Sequence, residues 1–346
     1  MKDKVLLKAG LCYSLVVVVV LSAQVSAQSS PSRRAGLYGD WQVQVKFGER
    51  QMESILSFSR DREGNRTGQW ISFWEVSELK DLKFEEGQLS FVRVSRNREG
   101  QSTTSKFAGT IKDGKLSGTL SSDRGEYKLE GKRLPRMSRA VGNWEMKLKM
   151  GEREFTSTLI VNAGKEGKLT AQWQSERGEH QISDVQYERG KLTFKRESKI
   201  QDRQWESTFE GTIQWQTDTL SGVIKSERGE ITVEGKRIGA PVIGTWNLEV
   251  TSERGSRKQR LEVNRDMSGL YGAIPIKKVN LEGNKVSFKI VLEFGERKFE
   301  MNFEVKLAES KEPKELKLTG ELKTSRGSQK VTGTKVIRTL RRPTTR

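Results

Sequence analysis

The chain has 346 residues, of which 33% are hydrophobic and 31% are charged, and its formal net charge is +18 at pH 7. This composition is polar for a globular protein, yet its aliphatic and aromatic content is too high for a chain that is disordered throughout. With one histidine and one cysteine in the whole sequence, the common zinc sites and the Ser–His and Cys–His catalytic arrangements have few side chains to draw on.

Residues 1–27 have the layout of a secretory signal peptide. A lysine-containing start leads into an apolar run centred on residues 16–21, and Val25-Ser26-Ala27 suits cleavage after Ala27. An uncleaved amino-terminal anchor is the alternative, because the apolar run is long for a signal. The segment predicts a secreted or periplasmic protein. Since Cys12 lies inside it, the mature chain is expected to have no disulfide.

A threefold repeat follows a polar linker at 28–36. Its motif is Gly-x-Trp, at Gly39-Asp40-Trp41, Gly142-Asn143-Trp144 and Gly244-Thr245-Trp246. Two further stretches recur in the same register: 116–120 returns at 220–224 and 318–322, and 124–133 returns at 228–237 and more loosely at 326–335. Coincident registers predict three similar units at 37–134, 141–238 and 243–336, with a basic tail at 337–346.

Within each unit the hydrophobic period is two. Trp41, Val43, Val45 and Phe47 alternate with polar residues, which is typical of half-buried strands, and turns that contain glycine separate such runs. The pattern predicts an all-β chain in which each unit has about eight antiparallel strands in up-and-down order. Such a sheet exposes its edges unless it closes into a small barrel. A β-sandwich remains the alternative.

The Gly-x-Trp motif at the start of a first strand, with a basic residue at the end of the last strand, resembles the signature of calycins, the group of lipocalins and avidin-like barrels. The three pairs are Trp41 with Arg133, Trp144 with Arg237, and Trp246 with Lys335. The resemblance is to small barrel units of secreted bacterial proteins. It implies three tandem β-barrels in which the cation packs across the indole where each barrel closes.

The sequence gives little support to catalysis. His180 lies in a polar stretch and is interpreted as a surface histidine. Most carboxylates sit beside lysine or arginine in turns, which is typical of a solvated face, and no phosphate-binding or dinucleotide fingerprint is present. We therefore expect no enzyme activity, no cofactor and no metal. A hydrolase that uses paired carboxylates is the least favoured alternative.

Aromatic side chains suggest one place for binding, the interior or mouth of a barrel. Trp70, Trp173 and Tyr271 occupy matching positions in the three units and are expected in the core. Trp74 adds aromatic surface in the first unit, while Trp205 and Trp215 occur only in the second unit and are weaker candidates for exposed platforms. A small apolar ligand held inside a barrel is the alternative function that these residues suggest.

The basic third unit suggests another place. Residues 240–346 contain 23 lysines and arginines against 13 acidic residues, and such a surface attracts anionic polymers. The candidate binding residues are Arg254, Arg257, Lys258, Arg260, Lys277, Lys278, Arg338, Arg341 and Arg342. For an exported protein, anionic polysaccharide, lipid headgroups or another envelope protein are nearer partners than nucleic acid. The sequence thus predicts an exported binding or interaction protein, and a solubilising role for the charge remains open.

Overall fold

A computed structural model describes residues 36–336 apart from 49, 97–100, 165–166, 202, 254, 295–296 and 309–315. The predicted signal peptide and the basic tail lie outside the described residues. In the described part of the chain, the regular structure consists of antiparallel strands in three sheets.

No helix among the described residues is long and apolar enough to cross a membrane.

Barrel 1 is a closed meander of eight strands. They are β1 (Gly39–Phe47), β2 (Arg50–Arg60), β3 (Arg66–Ile71), β4 (Val76–Glu85), β5 (Gln88–Arg96), β6 (Ser102–Lys112), β7 (Lys115–Ser122) and β8 (Gly125–Arg133). Each strand pairs with the next, and β8 pairs back onto β1. Closure leaves no unpaired sheet edge.

Barrel 2 repeats this plan with one gap in its ladder. Its strands are β9 (Gly142–Met150), β10 (Arg153–Ala163), β11 (Leu169–Gln174), β12 (Glu179–Glu188), β13 (Lys191–Ile200), β14 (Arg203–Gln214), β15 (Thr219–Ser226) and β16 (Gly229–Arg237). The last strand pairs with the first, but β11 and β12 do not form a ladder. The barrel is therefore nearly closed.

Barrel 3 has nine strands because its middle is broken into short pieces. They are β17 (Gly244–Ser252), β18 (Gly255–Val263), β19 (Gly269–Tyr271), β20 (Ile274–Ile276), β21 (Asn280–Glu282), β22 (Lys285–Phe294), β23 (Arg297–Leu307), β24 (Lys317–Thr324) and β25 (Gly327–Lys335). Its ladder is open between β20 and β21. The predicted fold class, three tandem up-and-down barrels of about eight strands, is confirmed.

Each barrel closes where an indole meets a basic side chain. Trp41 and Arg133 are direct partners across β1 and β8, and the guanidinium carbon lies 5.7 Å from the ring centre. The same register joins Trp144 to Arg237 at 4.0 Å and Trp246 to Lys335 at 5.6 Å. Each cation also donates to backbone carbonyls of the segment that precedes the first strand. The pair therefore ties the start of a unit to its end.

The glycine of each Gly-x-Trp motif is required by this closure. Gly39, Gly142 and Gly244 have φ of +122°, +133° and +124°, a region that side chains with a Cβ rarely enter. A Cβ on Gly142 would also stand 2.4 Å from Nη1 of Arg237. Glycine thus permits both the backbone bend and the close approach of the cation.

Aromatic rings fill the centre of each barrel. Trp70, Trp173 and Tyr271 are buried, with exposed fractions of 3%, 5% and 0%. Two stacked phenylalanines face each of them, with ring centres 4.8, 4.7 and 4.4 Å apart in the three barrels. Large rings in contact at the centre of a small barrel contribute much of its buried apolar surface. These matching aromatic positions form the core.

Barrels 1 and 3 pack directly against each other. Arg260 on β18 is 5% exposed, and its Nη2 lies 2.7 Å from Oδ2 of Asp40 on β1, while Glu262 also accepts from it. Burial lowers the pKa of Arg260, but the two carboxylate charges raise it above its ordinary value. The structure places Arg260 in this interface instead of on the exposed basic surface suggested by the sequence, because two carboxylates compensate its charge there.

We expect Trp41→Ala to lower the free energy of unfolding of barrel 1 by about 3–5 kcal/mol, because the indole is fully buried and its N–H donates to the carbonyl of Leu37 at 2.9 Å. Urea unfolding measures this change. Arg133→Ala should cost less, since water can replace part of its hydrogen bonding. An unchanged unfolding midpoint for Trp41→Ala would contradict the role of the indole in closure.

We expect Arg260→Met to destabilise the contact between barrels 1 and 3 by roughly 2–4 kcal/mol, below the cost for a fully buried pair, because Asp40 and Glu262 keep some exposure. The matched control is Lys258→Met on the same strand, which removes an exposed cation and should change the stability by less than about 0.5 kcal/mol. Equal effects of the two substitutions would show that the interface does not depend on this ion pair.

Candidate functional site

Barrel 2 has an open cavity of about 790 Å³ at one rim. In an up-and-down barrel, alternate turns meet at the same rim. The turns that follow β9, β11 and β15 therefore converge here, opposite to the closure at Trp144 and Arg237. We call this cavity the barrel-2 mouth and define it by seven of its lining residues: Phe155, Trp173, Arg177, His180, Arg196, Trp205 and Arg228.

A buried cation forms the floor of the barrel-2 mouth. Arg196 is 6% exposed, and its guanidinium carbon lies 4.9 Å from the ring centre of Trp173. Nε donates to Oγ of Ser207 at 3.3 Å. Among the described contacts, the guanidinium forms no other hydrogen bond, so its Nη groups are left for a ligand in the cavity.

The charge of Arg196 has no compensating carboxylate in the described part of the chain. Burial alone lowers the pKa of this guanidinium to about 10, so the group remains charged at neutral pH. A buried cation without an ion-pair partner is costly, and contact with an indole face offsets only part of that cost. A buried charge that the fold itself leaves unpaired is a candidate for ligand recognition.

Further arginines stand on aromatic rings around the opening. Arg177 lies 4.3 Å from the ring centre of Phe155, and Arg228 lies 4.8 Å from that of Trp205. Among the described lining residues, the one carboxylate is that of Glu230, which pairs with Lys225 at 3.3 Å. The cavity therefore combines positive charge with flat apolar surface, an arrangement that suits an anion with an aromatic or ring-shaped body.

His180 lines this cavity, and its two hydrogen-bond partners determine which ring nitrogen carries the proton. Its Nε2 faces the carbonyl oxygen of Arg177 at 3.1 Å and must donate there, so Nδ1 of the neutral ring accepts from Ser198 Oγ at 2.9 Å. Burial lowers the pKa of His180, and the nearby charge of Arg196 lowers it further. The sequence predicted a surface histidine, whereas the structure places it half-buried beside the unpaired arginine.

A second depression, of about 350 Å³, lies on the outer face of β12–β15. Its charged groups are paired: Lys195 lies 2.8 Å from Asp184, and Glu210 lies 2.7 Å from Lys191. Such exposed pairs are ordinary surface chemistry. Of these two cavities among the described residues, the barrel-2 mouth is the one that contains a charge without a carboxylate partner.

The other sequence-predicted site residues do not come together. Arg257 is half-buried and donates to the Trp74 carbonyl at 3.1 Å, while Lys258, Lys277 and Lys278 are exposed. Arg254, Arg338, Arg341 and Arg342 lie outside the described residues. Of the candidate aromatic platforms, Trp74 and Trp215 are exposed by 52% and 41%, and Trp205 lines the barrel-2 mouth.

Sequence reasoning missed Arg196, Arg177 and Arg228, although the repeat carried a signal for the first. Arg196 aligns with Arg93 of barrel 1, because each lies two positions after the matched phenylalanine of its unit. The equivalent position in barrel 3 is Ile290. A basic residue at a core-facing strand position in two of the three units is the feature that could have indicated the site.

Comparison with known proteins gives little further information. No protein-family model matches the chain, and no curated protein matches it in sequence. Among the described residues, no group of three or more histidine, cysteine or acidic side chains is placed to hold a metal ion.

Solved structures show distant likenesses. A variant of Transferrin Binding Protein B from Haemophilus parasuis is similar over 87% of this chain and 76% of its own, with 12% identity and a TM-score of 0.21. A protein with unknown function from the DUF3598 family, from Nostoc punctiforme, is similar over 87% of this chain and 96% of its own, with 11% identity and a TM-score of 0.22. At these TM-scores the likenesses give no indication of function.

We expect the pKa of His180 in the folded chain to lie below the ordinary value of about 6.5, and Arg196→Met to raise it, since one of the two causes of its lowering is removed. His180 is the single histidine of an untagged chain, so one ring signal in an NMR titration reports it. The unfolded state binds the proton more readily than the folded state. The contribution of His180 to stability is therefore present at pH values above its pKa in the unfolded state, and it is lost as the pH falls through its pKa in the folded state.

The matched control is Lys195→Met. Lys195 neighbours Arg196 in sequence, but its exposed ammonium pairs with Asp184, so this substitution should leave the His180 titration unchanged. A pKa that responds equally to both substitutions, or to neither, would contradict the proximity of His180 to the Arg196 charge.

Proposed function

We propose that this chain is an exported, non-enzymatic binding protein that holds a small anionic molecule in the barrel-2 mouth. The observation that carries the proposal is the buried guanidinium of Arg196, which has no carboxylate partner among the described residues. Export rests on the signal sequence predicted at residues 1–27. Membership of the calycin group, suggested by the three closure pairs, is part of the same proposal.

The dimensions and lining of the cavity favour a small molecule with a flat body. A cavity of about 790 Å³ falls within the range of roughly 300–1,000 Å³ that small-molecule sites occupy. The anionic group would approach Arg196 at the floor, and the body of the molecule would lie against Trp173 and Trp205. The arginines at the rim would draw anions toward the opening.

The side chains of the barrel-2 mouth favour binding over catalysis. Both ring nitrogens of His180 are engaged, one with Ser198 and the other with a backbone carbonyl. Glu230 stands alone as an acid in the lining and is exposed, so a pair of carboxylates that could share acid and base roles is not found among the described lining residues. A hydrolase is accordingly the weaker proposal.

Two other proposals rank lower for structural reasons. A carrier that encloses a small apolar ligand would need a hollow interior, whereas stacked rings fill the barrel centres. Contact between the third barrel and anionic polysaccharide, lipid headgroups or an envelope protein keeps the exposed Lys258, Lys277 and Lys278 as support. However, Arg260 is buried against Asp40 of barrel 1, and the half-buried Arg257 donates to the Trp74 carbonyl there, so this surface offers such a partner less charge than the sequence suggests.

We expect Arg196→Met to weaken the binding of anionic aromatic probes by about 10- to 100-fold, the contribution of one or two hydrogen bonds to a charged group. The probes are benzoate, benzenesulfonate and phenyl phosphate, with benzyl alcohol as the neutral comparison. Isothermal titration calorimetry measures affinity, and the His180 ring signal reports whether a probe occupies this cavity.

Arg93→Met is the matched control, because it removes the equivalent arginine from barrel 1 and should leave these affinities unchanged. If no anionic probe bound more tightly than benzyl alcohol, or if the affinity did not depend on Arg196, the proposed function would be wrong.

A further inference from the structure

Barrel 1 contains an internal counterpart of the site in barrel 2. Residues of the two units correspond at a spacing of 103 from the first strand to the fifth, so that Trp70 matches Trp173 and Arg93 matches Arg196. The turn before the fourth strand also matches: the hydroxyl of Ser72 accepts from the backbone N–H two residues later at 3.2 Å, and that of Ser175 does so at 3.1 Å. Residues in this turn can therefore be compared position by position.

In barrel 1 a carboxylate completes the cluster. Arg93 lies over the ring of Trp70 at 4.4 Å, as Arg196 does over Trp173, and its Nη2 is 4.0 Å from Oε1 of Glu75. Burial lowers the pKa of Arg93, and the charge of Glu75 acts in the opposite direction. The chain thus supplies an acid to the arginine of barrel 1.

In barrel 2 that acid is absent. The position equivalent to Glu75 is Gly178, which has no side chain and a φ of +78°. The neighbouring Glu176 and Glu179 are exposed, and neither forms an ion pair with Arg196 among the described contacts. Arg196 therefore lacks the carboxylate that its counterpart in barrel 1 has.

The strand ladder opens at the same point. Trp70 and Ser77 are ladder partners across β3 and β4, but their equivalents in barrel 2, Trp173 and His180, belong to strands that do not pair. Replacement of a small serine by histidine accompanies this loss of ladder pairing. Three differences between the units, at the acid, at the serine and in the ladder, therefore converge on one place, directly beside Arg196.

Resting on the proposed function, we infer that the ligand of barrel 2 is a carboxylate, and that its carboxylate group occupies the place that the Glu75 side chain takes in barrel 1. Arginine recognises a carboxylate through its planar, paired N–H donors. The body of the ligand continues from that point toward Trp205 at the opening. The ligand class is thus a monocarboxylate that carries an aromatic or sugar ring.

The first test compares ligands on the unmodified chain. Benzoate and D-glucuronate represent the carboxylate class, benzamide is the neutral isostere of benzoate, and benzenesulfonate and inorganic phosphate represent other anions. We expect benzoate to bind at least about tenfold more tightly than both benzamide and benzenesulfonate in calorimetric titrations. Benzoate binding no tighter than benzamide would overturn the inference.

The second test returns the missing acid to barrel 2. Gly178→Glu should weaken benzoate binding by about tenfold or more, because the new carboxylate competes for Arg196, whereas Gly178→Gln should stay within about threefold of the unmodified chain. Both substitutions impose the same backbone strain at a positive φ, so strain alone cannot separate them. Equal affinities of the two variants would contradict the inference, and the first test decides the matter independently if either variant folds poorly.

The failure of this inference is distinguishable from failure of the proposed function. Binding of benzenesulfonate or phosphate that requires Arg196, without preference for benzoate, would leave an anion site in place and reject the carboxylate. If no probe bound in a way that requires Arg196, both the carboxylate inference and the proposed function would be rejected.

Discussion

The fold of each barrel depends on one interaction, the packing of a cation on an indole where the last strand of the meander meets the first. When the last strand of a meander pairs with the first strand, the start of the first strand lies beside the end of the last strand. In each unit, the first of these positions holds a tryptophan and the second holds a basic residue. The indole supplies buried apolar surface, while the cation covers its face and binds the backbone of the entering segment. Because this seals one rim of each barrel, the opposite rim is left to vary.

That opposite rim is where the three copies have diverged. In barrel 1, Arg93 forms an ion pair with Glu75. In barrel 3, Ile290 stands in place of the arginine. In barrel 2, Arg196 is present without a carboxylate partner. Pairing in barrel 1 offsets part of the cost of a buried charge, and the isoleucine of barrel 3 eliminates that cost. Barrel 2 retains the cost, and a retained cost in one copy of a repeat favours a binding role over a structural one.

The basic third barrel shows why net charge alone is a poor guide to a surface. The sequence concentrates positive charge in residues 240–346, but two of its arginines, Arg257 and Arg260, face inward to barrel 1. Their partners include the carboxylate of Asp40 and the backbone carbonyl of Trp74. In this chain, part of the excess charge contributes to the joint between two barrels, and its availability to outside partners is correspondingly smaller.

The sequence by itself determined the repeat, the strand period and the partners at closure. These features follow from local pattern and from a connectivity that offers few alternatives, so the sequence is sufficient to pair Trp41 with Arg133. The tertiary structure alone decided the rest. Arg260 meets Asp40 across 220 residues, and the barrel-2 mouth assembles from strands and three turns that are distant in sequence. Whether a charge is buried and whether an acid reaches it depend on such convergence, and a one-dimensional pattern does not contain it.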